Sequence, residues 1–247
     1  MRYLILSDIH ANLTALDASL EAAKGRWGKA VCLGDVVGYG PDPNEVIDRV
    51  RSIDAVTIRG NHDKASSGVA SAEDFNPIAR AAALWTRRQL RAENQEWLEK
   101  LPQGPLAVNG FSLVHGAVND EDEYVLAPAQ ALDSLAAAPS PVTFFGHTHV
   151  QGGFFLWDDK VSMVQIKAEG KQSYTPVKIE PGATYMLNPG SVGQPRDGDT
   201  RAAFAIADLP NNSVEFWRVS YDIEAVQRRM AANGLPEPLI LRLSFGR

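Results

Sequence analysis

Short apolar runs alternate with helix-like segments along the first 60 residues of the chain. Polar residues follow each run, and the segments between runs carry apolar residues at helical spacing, the first with Asn12 as its predicted N-cap. The runs and the segments after them are Tyr3–Leu6 with 13–23, Ala30–Leu33 with 44–52, and Ala55–Ile58 at the start of a third unit. Strands that alternate with helices predict a layered α/β architecture, in which loops at the carboxyl ends of the strands gather into one crevice.

The second half of the chain changes character. Helical periodicity predicts one amphipathic helix from Pro77 to Lys100, which Pro102 ends. Strand-like runs separated by Gly, Pro and Asn turns follow, at Leu106–Val108, Phe111–Val114, Val142–Phe145, Phe154–Trp157 and Ala202–Ile206. Two sheets packed face to face, with helices outside, accommodate both halves.

Two further segments have less regular patterns. Residues Lys64–Asn76 are small and polar, which favours a solvated loop beside the third strand, with a mobile loop as the alternative. The tail Leu239–Leu243 favours a final strand within the monomer, with a strand at a subunit contact as the alternative. No linker, repeat or low-complexity tract interrupts the 247 residues, and their 45% hydrophobic content suffices for one core, so we expect a single domain over residues 1–247.

Composition disfavours several classes of partner. A formal net charge of −6 gives no general attraction to polyanions, so bulk nucleic-acid binding is not expected, whereas bound metal ions could still attract a small phosphorylated substrate. Cys32 is the single cysteine, which excludes an intrachain disulfide, and its apolar flanks indicate a buried structural role. Four apolar residues before Ser7 are too few for a signal peptide, and no run approaches the roughly 18 of a membrane span. We expect a cytoplasmic protein without a membrane partner, and the pattern leaves monomer and homo-oligomer open.

Histidine provides the strongest chemical signal. A single histidine after a strand is more often structural than functional. All five histidines of this chain, however, stand just after an apolar run: His10, His62, His115, His147 and His149. Because α/β proteins place reactive groups at the carboxyl ends of strands, the five favour one shared site.

Oxygen ligands stand at the same strand ends and complete a metal-binding set. Imidazole and carboxylate together suit zinc, iron, manganese or nickel, and the absence of ligating cysteines argues against a structural zinc site. Seven candidate ligands are too many for one tetrahedral ion: Asp8, His10, Asp35, Asn61, His115, His147 and His149. Two metals that share a bridging carboxylate are the economical arrangement, and hydrolysis of phosphate esters is a recurring use of such a pair.

These residues lie in five motifs of fixed order: Asp8-Ile9-His10, Gly34-Asp35-Val36-Val37-Gly38, Gly60-Asn61-His62-Asp63, His115-Gly116 and Gly146-His147-Thr148-His149. Together they resemble the calcineurin-like metallophosphoesterase superfamily, and the segment Asn188–Gly193 resembles one found after the last motif in bacterial members. The resemblance is to the branch of small bacterial phosphoesterases and phosphodiesterases. It implies a four-layer α-β-β-α sandwich with two packed mixed β-sheets flanked by helices.

The resemblance also implies a role for each residue. One metal would be held by Asp8, His10, Asp35 and His149, and the other by Asp35, Asn61, His115 and His147. Asp35 would be the bridge, and Asn61 and His62 would contact the substrate. His62 would protonate the leaving group, a task suited to an imidazole with a pKa near 6.5. Manganese is the expected metal, with iron, zinc, nickel or magnesium as alternatives.

The expected reaction is hydrolysis of a phosphodiester or phosphomonoester of a small molecule or nucleotide. Two cations about 3.5–4 Å apart would lower the pKa of a bridging water and so create the attacking hydroxide. Gly38 and Tyr39 stand where protein serine/threonine phosphatases of the superfamily carry Asp and Arg, so a phosphoprotein substrate is a weaker alternative. A non-enzymatic scaffold is a third reading, which the intact ligand set disfavours. A di-iron oxygenase is disfavoured as well, because no Glu-x-x-His pair is present.

Three polar features admit two interpretations each. Arg196 is a candidate for binding a substrate phosphate, although an arginine in a polar turn is more often solvated or pins a loop. Asp63 could orient His62 or cap the next segment. The acidic run Asp120–Glu123 is expected to be a hydrated loop.

Overall fold

Strands of two mixed sheets form the centre of the computed structural model, which describes residues 1–166 and 174–247. The strands are β1 (Tyr3–Leu6), β2 (Lys29–Cys32), β3 (Val56–Thr57), β4 (Leu106–Val108), β5 (Phe111–Leu113), β6 (Val142–Phe144), β7 (Gly152–Trp157), β8 (Lys160–Gln165), β9 (Tyr174–Lys178), β10 (Thr184–Asn188), β11 (Ala202–Asp208) and β12 (Ser213–Val219). The first sheet has the order β3-β2-β1-β11-β12-β9 and the second β4-β5-β6-β10-β7-β8. The β1–β2 and β2–β3 pairs are parallel, as are β5–β6 and β6–β10, and the remaining pairs are antiparallel.

Helices cover the outer faces of both sheets. They are α1 (Leu13–Ala22), α2 (Pro43–Ser52), α3 (Asn61–Ser67), α4 (Pro77–Gln89), α5 (Ala92–Glu99), α6 (Pro128–Ala136), α7 (Ile223–Ala232) and α8 (Glu237–Arg242). Helix α1 packs against β11 and β12 of the first sheet, and α6 packs against β7, β8 and β10 of the second. The predicted four-layer sandwich of two mixed sheets flanked by helices is therefore confirmed.

Strand β1 shows why its sequence is continuously apolar. Leu4 and Leu6 face the layer of α1 and α2, whereas Tyr3 and Ile5 face the second sheet, where they join Phe111 in the core between the sheets. All four residues of β1 are buried. Because a one-residue slip would exchange the two faces, this packing fixes the register and hence the position of the loop that follows β1.

The helix predicted for Pro77–Lys100 is two helices, so this prediction was wrong in its extent. The break comes at Leu90 and Arg91, between α4 and α5. The side chain of Asn44 accounts for it, because its Nδ2 donates to Gln89 O at 2.8 Å and its Oδ1 accepts from Arg91 N at 2.9 Å. A residue distant in the chain thus satisfies the backbone groups that a continuous helix would have paired.

Two other predictions of secondary structure were wrong. Lys64–Ser67 lie in α3 and are buried, so the predicted loop is shorter. The tail is helical: α8 contains Leu239, which with Leu243 packs beside Tyr39. A spacing of four residues places these two leucines on one face of a helix and would also do so in a strand, so the local pattern did not separate the two.

The sequence patterns also missed β8, β9, β10, β12, α6 and α7. Over the described ranges, no helix combines the length and apolar character needed to cross a bilayer. The single-domain organisation stays a prediction.

Candidate metal centre

The seven predicted ligands meet at the carboxyl ends of the strands. Asp8 and His10 follow β1, Asp35 follows β2, Asn61 begins α3 after β3, His115 follows β5, and His147 and His149 follow β6. The ligand atoms form two groups, and within each group they all lie within 4.8 Å of one another. One group contains Asp8, His10, Asp35 and His149, and the other contains Asp35, His115 and His147. Asp35 belongs to both. Asn61 joins the second group, since its Oδ1 lies 3.2 Å from His115 Nε2.

The loops that carry these ligands adopt an uncommon backbone conformation. Five of the seven have positive φ: Asp8 at 50°, His10 at 48°, Asp35 at 51°, His147 at 65° and His149 at 60°. A non-glycine residue in this region costs on the order of 1 kcal/mol, and such residues concentrate at functional sites. Hydrogen bonds between the loops hold the conformation, such as Asp8 N to Gly34 O at 3.1 Å and His10 N to Asp35 O at 3.0 Å.

Each of the four clustered imidazoles is bonded through one ring nitrogen to a backbone carbonyl. The pairs are His10 Nδ1 with Val37 O at 3.1 Å, His115 Nδ1 with Leu33 O at 2.8 Å, His147 Nε2 with Asp122 O at 3.0 Å, and His149 Nδ1 with Gln194 O at 2.6 Å. Because a carbonyl only accepts, the bonded nitrogen carries the proton and the other presents a lone pair. This arrangement is typical of metal-ligating histidine.

Each of these lone pairs faces another acceptor atom, and a cation between the two atoms would remove their repulsion. His10 Nε2 lies 3.1 Å from His149 Nε2, and neither nitrogen has a proton to share once its partner nitrogen is bonded. Asp35 Oδ2 lies 3.6 Å from both His10 Nε2 and His115 Nε2. A divalent cation between these atoms would turn each repulsion into coordination, so the donor set fits metal binding.

Burial perturbs the ionisation of the same groups. It raises the pKa of Asp8 to about 7 and the pKa of Asp35 well above its ordinary value. It also lowers the pKa of His147 to about 2, and lowers that of His10 and His149 well below the usual range. A charged carboxylate is unfavourable when it is buried without a neighbouring positive charge. A bound cation would supply that charge.

The chain matches a known family along most of its length. Residues 1–212 match the model of the calcineurin-like phosphoesterase superfamily domain. The chain belongs to the calcineurin-like phosphoesterase superfamily. With the buried cluster of histidine and aspartate, it is a metal-dependent phosphoesterase.

Relatives of this phosphoesterase share its whole length. An uncharacterised protein of Methanocaldococcus jannaschii is 34% identical over 248 residues, covering 98% of this chain and 97% of the relative. The crystal structure of a metallophosphoesterase from Sphaerobacter thermophilus has 37% identity and a TM-score of 0.84, and the match covers 100% of this chain and 99% of that one. A hypothetical protein from Pyrococcus horikoshii has 22% identity and a TM-score of 0.77 over 100% and 98% of the two chains, and shows the fold alone.

His62 differs from the other four histidines of the phosphoesterase. Its ring lies 4.2 Å from that of Tyr39 and 4.8 Å from that of Phe75, between centroids, and 4% of the residue is exposed. Its Nδ1 is buried and has no hydrogen-bond partner. Burial, followed by the charge of Arg196, lowers the pKa of His62 well below its usual value, so the ring is neutral in this environment.

Gly38 explains the orientation of the His62 ring. The φ angle of Gly38 is +88°, and a Cβ built there would lie 2.5 Å from His62 Nδ1. Glycine thus leaves room for the imidazole against the backbone. Among the residues that the structure describes, no acid supports Nδ1, in line with Gly38 standing where the phosphatases carry Asp.

Asp63 caps a helix and does not orient His62. Its Oδ2 accepts from Gly60 N at 3.0 Å at the start of α3, and its Oδ1 accepts from Val37 N at 3.1 Å. The carboxylate joins the loop of Asp35 to that of Asn61. The capping interpretation is the one that the contacts support.

The acidic run is the exposed loop that was expected, but Glu121 and Asp122 also contact Lys64. Lys64 Nζ donates to Glu121 at 2.8 Å and to Asp122 at 2.7 Å and 2.8 Å. Asp122 also supplies the carbonyl that bonds His147, and the Tyr124 ring stacks on the His147 ring at 3.8 Å. Lys64 and Tyr124 were missed because their partners are distant in the sequence; the alternating charges of the run were the available signal.

The segment after the last motif ties two ligand loops together. Ser191 Oγ donates to Asp8 O at 2.7 Å, and Asn188 Nδ2 donates to Gly146 O at 2.8 Å. Gln194 adds the carbonyl that bonds His149. The segment therefore supports the metal centre without supplying a ligand.

Arg196 lies beside the centre. Its backbone N donates to His149 O at 3.2 Å, and its guanidinium carbon lies 5.8 Å from the centroid of the Tyr39 ring. The guanidinium donates to Gln194 Oε1 at 3.1 Å. Its position is compatible with a contact to substrate.

Proposed function

We propose that this phosphoesterase hydrolyses phosphodiesters or phosphomonoesters of small molecules or nucleotides with two divalent cations, manganese being the expected metal. The observation that carries the proposal is the sharing of Asp35 by two groups of ligand atoms. A carboxylate with two oxygens is the usual bridge of a dinuclear site. Asp8, His10, Asp35 and His149 would hold one ion, and Asp35, Asn61, His115 and His147 the other.

The residues of the chain prepare the site before any ester binds. When bound, the cations would polarise the phosphoryl oxygens and lower the pKa of water. The four carbonyl bonds fix the ligating nitrogens, and His62 N donates to Asp35 Oδ1 at 2.8 Å, which orients the shared carboxylate. Because these groups are held in place beforehand, they do not have to reorient during the reaction, as solvent water would.

The cleft over the centre favours a small substrate. It has a volume of about 460 Å³ and is lined by Asn61, His62, Phe75, Tyr124 and His147 among others. Sites for small molecules typically measure roughly 300–1,000 Å³. The rings of Tyr39 and Phe75 cover His62, which leaves little room for a folded phosphoprotein loop. The phosphatase alternative is disfavoured for this reason and by Gly38 and Tyr39.

His62 would contact the leaving group from the wall of this cleft. Its buried Nδ1 has no hydrogen-bond partner among the residues that the structure describes. As a neutral imidazole it can donate a hydrogen bond to the departing oxygen and so stabilise the negative charge that builds there, whereas transfer of a proton would require the ring to be protonated first. This role stays a prediction.

Metal analysis and an ester panel test the proposal. The purified protein is loaded with Mn²⁺, and hydrolysis of p-nitrophenyl phosphate and bis(p-nitrophenyl) phosphate is measured with and without chelator. We expect two ions per chain and hydrolysis of at least one ester that the chelator abolishes. One ion per chain would contradict the dinuclear site. Two ions with no hydrolysis of any ester would favour the scaffold alternative.

A further inference from the structure

A pair of arginine side chains lies next to the metal centre with no aspartate or glutamate partner in the described ranges. Arg196 and Arg242 each donate to the same atom, Gln194 Oε1, at 3.1 Å. Within residues 1–166 and 174–247, neither guanidinium has an aspartate or glutamate carboxylate within 4.0 Å, and Arg242 Nε donates to Arg247 O at 2.5 Å. Arg229, by contrast, makes a two-pronged contact with Asp42 at 2.8 Å and 3.0 Å.

The pairing is unfavourable unless an anion joins it. Both side chains are half-buried, and the amide oxygen that they share carries no formal charge. The Arg196 Nε is buried and has no hydrogen-bond partner. Burial, together with the charge of Arg196, lowers the pKa of Arg242. Like charges repel strongly where little water screens them. A protein retains such an arrangement where a bound ligand of opposite charge offsets the repulsion.

The pair is one aromatic ring away from the metal ligands. The Arg196 guanidinium carbon lies 5.8 Å from the Tyr39 centroid, and the Tyr39 centroid lies 4.6 Å from that of His10. The Gln194 residue that receives both arginines also bonds His149 through its backbone carbonyl at 2.6 Å. A molecule held at the metals can therefore reach the guanidinium groups past Tyr39.

Arg242 is presented by a packed element. Leu239 and Leu243, on either side of it, are buried beside Tyr39. Gln227 Nε2 donates to Ile240 O at 2.7 Å, which joins α7 to α8. A fixed backbone here reduces the entropy that the long side chain loses when it binds.

A second cleft leads from Tyr39 to Arg242. It has a volume of about 680 Å³ and an apolar wall that includes Ile78 and Leu239. Tyr39 and Asn76 line both this cleft and the one over His62. The two clefts are therefore neighbours along one surface, with the metal centre at one end and Arg242 and Arg247 at the other. Arg196 lies beside Tyr39, where the two clefts meet.

We propose that Arg196 and Arg242 form an anion subsite, and that the substrate is a phosphoester with a second phosphate group, apart from the one that is hydrolysed, which this pair binds. The inference rests on the proposed function for the reacting phosphate. Two guanidinium charges match a phosphate dianion, and their planar donors match its oxygens. The organic part between the two phosphates would lie along Tyr39 and the apolar wall. Arg242 comes from beyond the residues that match the family model, whereas Arg196 lies within them.

Matched ligands test the subsite by binding, without turnover. Alkane bisphosphonates with three to six carbons are titrated calorimetrically into the Mn²⁺-loaded protein, each against the monophosphonate of the same length. Metal content is measured after each titration. At the best spacing we expect the bisphosphonate to bind at least about 10-fold more tightly, since a charged hydrogen-bonded contact contributes that much or more. Two equivalent ends alone would give a factor of about 2 through statistics.

Variants decide whether the two arginines cause the difference. Arg242→Gln and Arg196→Gln should each reduce the advantage to about 2-fold, and Arg242→Lys should restore part of it because charge returns without the planar fork. Arg228→Gln is the matched control, since that side chain is 68% exposed on α7, and should keep the full advantage. If Arg242→Gln fails to fold, Arg196→Gln carries the same prediction.

Two results would overturn the inference: an advantage of no more than about 2-fold at every spacing in the unaltered protein, or an advantage above about 2-fold in the variant lacking both arginines. Hydrolysis of p-nitrophenyl phosphate by the same preparations separates this inference from the proposed function. Hydrolysis without a bisphosphonate advantage rejects the subsite alone. An advantage without hydrolysis of any ester rejects the proposed function and leaves the anion subsite standing.

Discussion

The four clustered histidines and His62 stand within one site but are held in different ways. Each clustered imidazole is bonded through one nitrogen to a carbonyl, so its other nitrogen points a lone pair into the cluster. Among the described residues His62 has no such bond at Nδ1, and its ring packs against the rings of Tyr39 and Phe75, each tilted by 50°. The difference separates rings prepared to bind a cation from a ring left free for a substrate. The predictions below test that separation.

Removing the shared carboxylate should have the largest effect. In Asp35→Asn the carboxylate that belongs to both groups of ligands loses its charge, so we expect both ions to leave and hydrolysis to fall to background. Metal content is measured by mass spectrometry, and hydrolysis is measured with an ester assay. Asp199→Asn is the control, because Asp199 pairs with Arg201 and not with the cluster. Retention of one tightly bound ion would show that the two groups are independent.

Exchanging one histidine of each kind tests the comparison directly. His115→Gln should lower metal content, whereas His62→Gln should keep two ions and lower kcat by about 10²- to 10³-fold, as loss of a positioned donor to developing negative charge does. Metal content and kcat on one ester are measured for both. If His62→Gln loses its metals and regains normal turnover when they are restored, His62 belongs with the ligands.

Weakening one carbonyl contact should have a moderate effect. Lys64 holds the loop whose Asp122 carbonyl bonds His147, so Lys64→Met should loosen that ring and lower Mn²⁺ affinity by about 10-fold. Competition with a chelator measures the affinity. Lys100→Met is the matched control, since Lys100 is 72% exposed and pairs with Glu96 within one helix. Equal effects in the two variants would mean that the support of His147 does not depend on Lys64.

Displacing the His62 ring should have the smallest effect. Gly38→Ala introduces a Cβ that meets the imidazole, so we expect kcat to fall by about 5-fold while metal content is unchanged. Gly110→Ala shares the positive φ but meets no neighbouring atom, and both should lose about 1 kcal/mol of unfolding free energy. Chemical denaturation and kcat measure the two effects. Equal kcat in both variants would show that the position of His62 is not critical.

Local pattern was sufficient for the parallel strands other than β10 and for the cluster at their ends. A strand such as β1 is buried on both faces, so its apolar run and the polar residues after it stand out in the sequence. Local pattern did not predict the break between the two helices at Leu90, because Asn44, whose side chain accounts for the break, lies 46 residues earlier. The helical tail was missed for a similar reason, since its partners Tyr39 and Met230 belong to other elements.

Sequence alone determined which residues gather at the carboxyl ends of the strands. Each ligand stands just after a strand along the chain, and the hydrophobic core fixes where that strand lies. Tertiary structure decided which nitrogen of each imidazole faces inward, since the carbonyl that fixes it comes from afar, as with Leu33 and His115, which are 82 residues apart. It also decided that Lys64 supports His147 and that Arg242 joins Arg196. Such contacts depend on how loops pack in space, and no local periodicity encodes them.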